Sequence, residues 1–189
     1  MVHYCSVSIL MDRIVDRLRQ ADVVLERGLS EAEFERIEHD YEFGFSSVHR
    51  EFLATVLPLG GGWCDWRHGV RDEFSQAWQL GGVLFDVEHN VFWPRSWGPR
   101  PADLEAALQV ASARLAQVPP LIRLHGHRFL AADIPGPVFS VHQTDVVYYG
   151  DNLLDYIANE FHVGPRHPTD RPHVPFWSDL ADGLESDDL

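Results

Sequence analysis

The chain has no lysine: its fifteen basic residues are all arginine, set against twenty-nine aspartates and glutamates, for a formal net charge of −14. The missing lysine fits a GC-rich coding sequence and carries no mechanism of its own. A surface of this sign repels phosphate backbones and anionic bilayers, which argues against direct nucleic-acid or membrane-surface binding. It draws basic partners in. Cysteine is almost absent as well. Cys5 and Cys64 are far apart and belong to no CxxC or Cys/His string, so neither a disulfide scaffold nor a zinc finger is expected, and a reduced, cytoplasmic location follows. Long apolar runs are missing. Val7 to Met11 is too short, and lacks a basic flank, to be a signal peptide, and nothing approaches the roughly 18 residues of a membrane-spanning helix. The glycines Gly60, Gly61 and Gly62 are not followed by GK[ST], so they read as a flexible connection and not as a phosphate loop.

What remains is a chain of 189 residues, 45% hydrophobic, with eleven Phe and six Trp. That is enough for one domain burying roughly 70% of its unfolded surface without metals or disulfides. Leu10, Ile14, Leu18, Ala21 and Leu25 recur at helical spacing and predict a helix over 10–26. Ser30 and Glu33 form a capping-box pattern ahead of a helix over 31–41 carrying Phe34, Ile37 and Tyr41. Ser46 or Ser47 can cap a third helix ending at Pro58. A short strand is expected around Trp63 to Trp66, and a short helix within "RDEFSQAWQL". The runs at 83–87 and 91–93, with a turn near His89–Asn90, read as a hairpin. Residues 102–117 form the longest helix by propensity, with Leu104, Leu108, Ala111 and Leu115 as its stripe. "LIRLHGHRFL" reads as two short strands joined at Gly126. Another strand and a helix over 152–161, capped by Asp151, follow. Beyond Gly164 the prolines exclude regular structure, although Phe176 and Trp177 can dock back on the body. The expected fold is α+β: N-terminal helices, then a mainly antiparallel or mixed sheet, then a C-terminal helix. The expected organisation is a domain over 1–162 and a Pro-rich, then acidic, partly disordered tail over 163–189.

Three constellations invite chemistry. His125 and His127 are two apart, so in one extended strand both imidazoles would point the same way, with His142 or Asp145 as a third metal ligand. That pattern is the basis of a metal-dependent hydrolase reading; half-buried sheet histidines are the commoner outcome. Ser140, His142 and Asp145 offer nucleophile, base and acid, but Ser140 lies in an apolar strand with no nucleophile-elbow glycines. Asp65, between Trp63 and Trp66, would have a raised pKa if buried, and otherwise caps a turn. Tyr148 and Tyr149 must face opposite sides of a strand, one packing inward while the other offers a hydroxyl.

The ordered blocks "GLSEAEFERIEHDYEFGFSSVHREFLATVLPLGGGWCDWR", "GVLFDVEHNVFWPRSWGPRP", "PPLIRLHGHRFL" and "PVFSVHQTDVVYYGDNLLDYIANEF" together resemble the SUKH superfamily, named partly after a fungal cell-wall assembly regulator, over residues 28–162. The resemblance implies a compact α+β domain without a catalytic constellation and without a cofactor or metal. Many bacterial members are immunity proteins that bind and neutralise secreted toxin domains, often nucleases or nucleic-acid deaminases. Other members do regulatory or scaffold work without a toxin partner. Partner surfaces vary within the superfamily, so no contact residues carry over. The residues of this chain best suited to a partner surface are Asp65, Asp145, Tyr148 and Asp151. The expectation is a non-enzymatic domain for a basic protein partner.

Overall fold

The computed structural model describes residues 2–69 and 76–183. Helix α1 (Val2–Gln20) buries Met11, Ile14 and Leu18, but it does not reach residue 26. Asp22 takes a left-handed φ of 54°, the Val23 amide returns to the Leu18 carbonyl at 3.0 Å, and the Asp22 amide to that of Arg19 at 3.1 Å. This is a Schellman-type stop, with Asp tolerated where Gly is usual. Leu25 keeps helical spacing by coincidence and belongs to strand β1 (Val24–Arg27).

Helix α2 (Glu31–Tyr41) starts on the expected capping box, with Ser30 and Glu33 bonding reciprocally. Helix α3 (Ser47–Thr55) follows Ser46, whose hydroxyl makes no capping bond. The chain then enters β2 (Val56–Leu59), antiparallel to β1. Pro58 sits opposite Leu25. Lacking an N–H, it fits only a pair that exchanges no ladder bonds.

Helix α4 (Gln76–His89) occupies the segment expected to form a hairpin at 83–93. The first residues of "RDEFSQAWQL", through Ser75, lie outside the described residues. The expected strand at Trp63–Trp66 reduces to a single bridge between Trp63 and His125, followed by a turn. After a 3-10 turn at Arg95–Trp97, α5 (Leu104–Leu115) is capped by Asp103, whose carboxylate accepts from the Ala106 amide at 2.9 Å. Its buried stripe is Ala107, Ala111 and Leu115, while Leu104 faces outward.

Strands β3 (Leu121–His125), β4 (Arg128–Ala131), β5 (Val138–His142) and β6 (Asp145–Gly150) form one antiparallel meander in sequence order. β4 is buried along its whole length, the mark of a strand covered on both faces. Ile122, Leu124, Leu130 and Val138 join Ile14, Leu18, Phe34, Phe52 and Ile157 in one core. Leu121, Phe129, Phe139, Val141 and Val146 face a second core with Val174 and Trp177, which merges through Leu80, Val118, Phe176 and Leu180 into the packing of α4 on α5. Tyr148 and Tyr149 part as expected, Tyr148 to the second core and Tyr149 to the first.

The fold is therefore a single α+β domain with helices interspersed between two antiparallel sheets, and not helices first and sheet second. Helix α6 (Leu153–Phe161) closes the first core. Its cap is Asn152, which accepts from the Asp155 amide at 2.9 Å; Asp151 is not the cap. Residues 162–176 are irregular, and a short α7 (Trp177–Ala181) follows. Trp177 is fully buried and donates its indole N–H to the Pro119 carbonyl at 2.8 Å. Residues 184–189, the end of the acidic tail, lie outside the described residues. Among the described residues no helix is long and apolar enough to cross a membrane.

Candidate functional site

His125 ends β3, and Gly126, at φ 54°, turns the chain so that His127 does not share its strand side. The His125 ring has both nitrogens in use. Nε2 lies 2.7 Å from the Gly61 carbonyl and Nδ1 3.0 Å from the Tyr156 hydroxyl. A carbonyl only accepts, so the proton is on Nε2 and Nδ1 accepts from Tyr156. No lone pair is left for a metal. Burial pushes the His125 pKa down, the Gly61 carbonyl and Glu160 pulling against it. Arg128 completes the network, reaching Glu160 at 3.2 Å and the Ser140 hydroxyl at 3.0 Å. Trp63 and Phe161, stacked within 9° of parallel, pack against the imidazole. The glycine loop is thus a ligand for His125. Gly60, Gly61 and Gly62 all take positive φ, which lets the carbonyls of Gly61 and Gly62 turn toward His125 and the Gly126 amide.

Ser140, bonded by Arg128, stands as a structural acceptor and not as a nucleophile. Among the described residues no group of three or more His, Cys, Asp or Glu is placed to hold a metal ion, and His125, His127 and His142 form no such group.

The residues expected at a partner surface fall in three places. The Asp65 carboxylate accepts from the His68 amide at 3.2 Å and the His68 ring at 3.0 Å. Partial burial works to raise its pKa, but the bonds from His68 outweigh it and hold the carboxyl low, so the raised pKa allowed for in the sequence does not arise. Asp65 caps a turn. Tyr148 and Asp151 do meet, through Arg171. Its guanidinium pairs with Asp151 at 2.8 Å and lies 4.1 Å over the Tyr148 ring, while the Tyr148 hydroxyl donates to Asp182 at 3.1 Å. Beside them the buried Asp155 carboxylate accepts from Arg166 at 2.7 and 3.0 Å and from the amides of His167 and Asp151. The Arg166 guanidinium holds the Asp155 carboxyl below the usual range. This corner fastens the segment after α6 to the body.

Asp145 is elsewhere, exposed at the start of β6 opposite His142. The β5–β6 tip is pinned to α4 by buried Asp86, which accepts from the Thr144 amide at 3.0 Å, the Thr144 hydroxyl at 2.6 Å and Asn90 at 2.6 Å. Two open hollows flank the tip and share His142 and Gln143. One, of about 550 Å³, runs past Asp145, Asn90 and Val91; the other, of about 310 Å³, is lined by Gly81, Gly82 and Phe85. Phe85 is 45% exposed and stacks on His89 at 4.2 Å. Val91 is 75% exposed at φ 60°, a strained backbone for a β-branched residue. Sequence reading missed this surface because the apolar runs at 83–87 and 91–93 were read as the strands of a hairpin. The signal was present in Leu80, Val83, Leu84 and Val87, spaced i, i+3, i+4, i+7.

Among the described residues exposed carboxylates outnumber exposed arginines, which include Arg13, Arg19, Arg27 and Arg36. Arg50 pairs with Glu31 and Glu38, Arg67 with Glu26 and Glu33, and Arg128 with Glu160, all three arginine side chains being more than two-thirds covered. Arg17 turns inward to the carbonyls of Leu154 and Pro165. Glu35, Asp40 and Glu42 stay exposed along α2, and Asp12, Asp16 and Glu26 rim a hollow of about 580 Å³ between α1 and the β1–β2 ribbon, with Arg19 beside them. No protein-family model, curated protein or solved structure matches this chain.

Proposed function

We propose that this chain is a non-enzymatic protein-binding domain of SUKH type, an intracellular bacterial immunity protein that binds and neutralises a basic toxin domain of the nuclease or deaminase kind. The observation that carries the reading is the excess of exposed carboxylates. Arg13, Arg19 and Arg36 stand exposed on α1 and α2, yet the exposed carboxylates of these helices and of the β5–β6 tip outnumber them, while Arg50, Arg67 and Arg128 are covered in ion pairs. A toxin that acts on nucleic acid presents a cationic surface, and outward carboxylates on a rigid frame offer it the charge its substrate would. The order of the sequence blocks supports the superfamily assignment, and an α+β body with antiparallel sheets is compatible with it. The polar groups that looked catalytic support it too, because His125, Ser140 and Asp65 are each occupied in holding the fold.

The test starts from the neighbouring coding region: a toxin-like C-terminal domain of a large secreted protein is expected there, to be titrated with the purified chain by calorimetry at low and high salt. A one-to-one complex whose affinity falls with salt, and which silences the toxin, is the expected result. An affinity indifferent to salt would remove the electrostatic basis of the reading.

A further inference from the structure

Gly81 is a glycine that no close contact among the described residues requires. It lies inside α4, where glycine costs about 1 kcal/mol relative to alanine. Its neighbour Gly82 is accounted for, since a Cβ there would come within 3.1 Å of the Gln143 backbone at the hairpin tip. Among the described residues a Cβ on Gly81 would meet nothing within 4 Å. The consequence of its bareness is the hollow of about 310 Å³ that it shares with Phe85, His142 and Gln143. One helix face carries Gly81, Phe85 and Glu88 at i, i+4 and i+7, with His89 stacked on Phe85. Phe85 gives the hollow an aromatic wall. Among the described residues no carboxylate lines it directly; exposed Glu88 is one turn along the same face, 3.8 Å from the His89 ring, and exposed Asp145 is paired across the hairpin with His142, which lines the hollow, and itself lines the neighbouring one.

An aromatic face beside carboxylates is the environment a guanidinium selects, since it stacks by its plane and bonds by its edge. We infer that the notch at Gly81 is a receiving slot for an arginine side chain of the cationic protein partner, with Phe85 as the stacking face and Glu88 and Asp145 as the counter-charge. This inference rests on the proposed function and places its docking surface at the α4 face and the β5–β6 tip, rather than on the acidic faces of α1 and α2.

The experiment is an amide NMR titration of the full chain with the blocked tripeptide acetyl-Gly-Arg-Gly-amide, repeated with citrulline in place of arginine. Citrulline keeps the shape and loses the charge. The Gly81, Gly82 and Gln143 resonances are expected to move and saturate with the arginine peptide, and to respond about tenfold more weakly to citrulline, the scale of a partly desolvated cation–π contact. Gly81→Leu fills the notch at a position where the helix tolerates the side chain, so it should abolish the response while leaving thermal stability equal or higher. Glu88→Gln combined with Asp145→Asn, which preserve shape, should weaken it comparably. Equal responses to both peptides, or movement confined to α1 and α2, would overturn the slot. In the second case salt-dependent toxin binding can still hold, so the two proposals fail separately. A dimer in sedimentation that Phe85→Ala returns to monomer would assign the face to a second copy and overturn it as well.

Discussion

His49 and His125 show how differently one side chain type is used within this core. His125 satisfies both ring nitrogens and ties three segments together. His49 is 1% exposed on α3, edge-on to Phe45 at 4.9 Å, and neither of its nitrogens has a hydrogen-bond partner among the described residues. Burial alone pushes its pKa down to about 3. Between that value and the ordinary one near 6.5, the unfolded chain binds a proton that the folded chain refuses. Stability contributed by this site is therefore present above pH 6.5 and declines as pH falls, by at most about 1.4 kcal/mol per pH unit. His49→Met keeps the apolar packing and removes the orphaned nitrogens. Urea midpoints at about pH 7 and about pH 4.5 should show the variant as stable as the parent or better by about 1 kcal/mol at the higher pH, with a clearly smaller loss at the lower one. A parallel loss in both proteins would move the acid sensitivity elsewhere.

Among the elements, α7 shows how the irregular segment joins the body. Val174 and Trp177 are fully buried in the second core, and Arg17 and Asp155 clamp the chain between α6 and α7 from the other side. Trp177→Ala removes a large buried ring and the indole bond to Pro119, so it should cost about 3–5 kcal/mol. Limited proteolysis should then find new cuts between residues 162 and 176; a variant that unfolds at the parental denaturant midpoint would show that the segment contributes nothing. How much of this was legible varies by element. α2 could be read because Ser30 and Glu33 are adjacent in the chain and act locally. The β3–β4 pair could be read because alternation and the Gly126 turn are local too, whereas the one strand expected after it is the hairpin β5–β6, whose turn at Gln143, with φ 58°, has no glycine or proline to announce it. α4 was not read, because its apolar run at 83–87 passes equally for a strand, and the reason for Gly82, the close approach of Gln143 at the β5–β6 tip, lies some sixty residues away in sequence. The same non-locality hid the site. Tyr148 and Asp151 stood out as polar residues near a helix start, but Arg171 and Asp182, which occupy them, come from the far end of the chain. Phe85 was read as a strand residue and so was never considered for an exposed face.

At the scale of the whole molecule, an excess of acid and a shortage of free base act on association before any contact forms. A net charge of −14 on one domain is a long-range field, and at physiological salt it is screened over about 8 Å. Carboxylates outside the contact area should therefore govern how fast a basic partner arrives, and those inside it how long the partner stays. Glu35 and Asp40 on α2, and Glu42 just after it, are exposed on an element that packs into the first core and not into the packing of α4 on α5, so they separate the two effects. Replacing all three by Gln, Asn and Gln should slow association with the toxin domain several-fold at low salt, by an amount that shrinks as salt is added. Dissociation should stay within about twofold, since rim charges steer and do not hold. Glu88→Gln with Asp145→Asn should do the reverse, speeding dissociation and changing the association rate less. Stopped-flow mixing across a salt series reads both constants at once. If the α2 substitutions speed dissociation, the partner sits on α2, and the α4 face is left with only its strained Val91 and its exposed aromatic ring to explain.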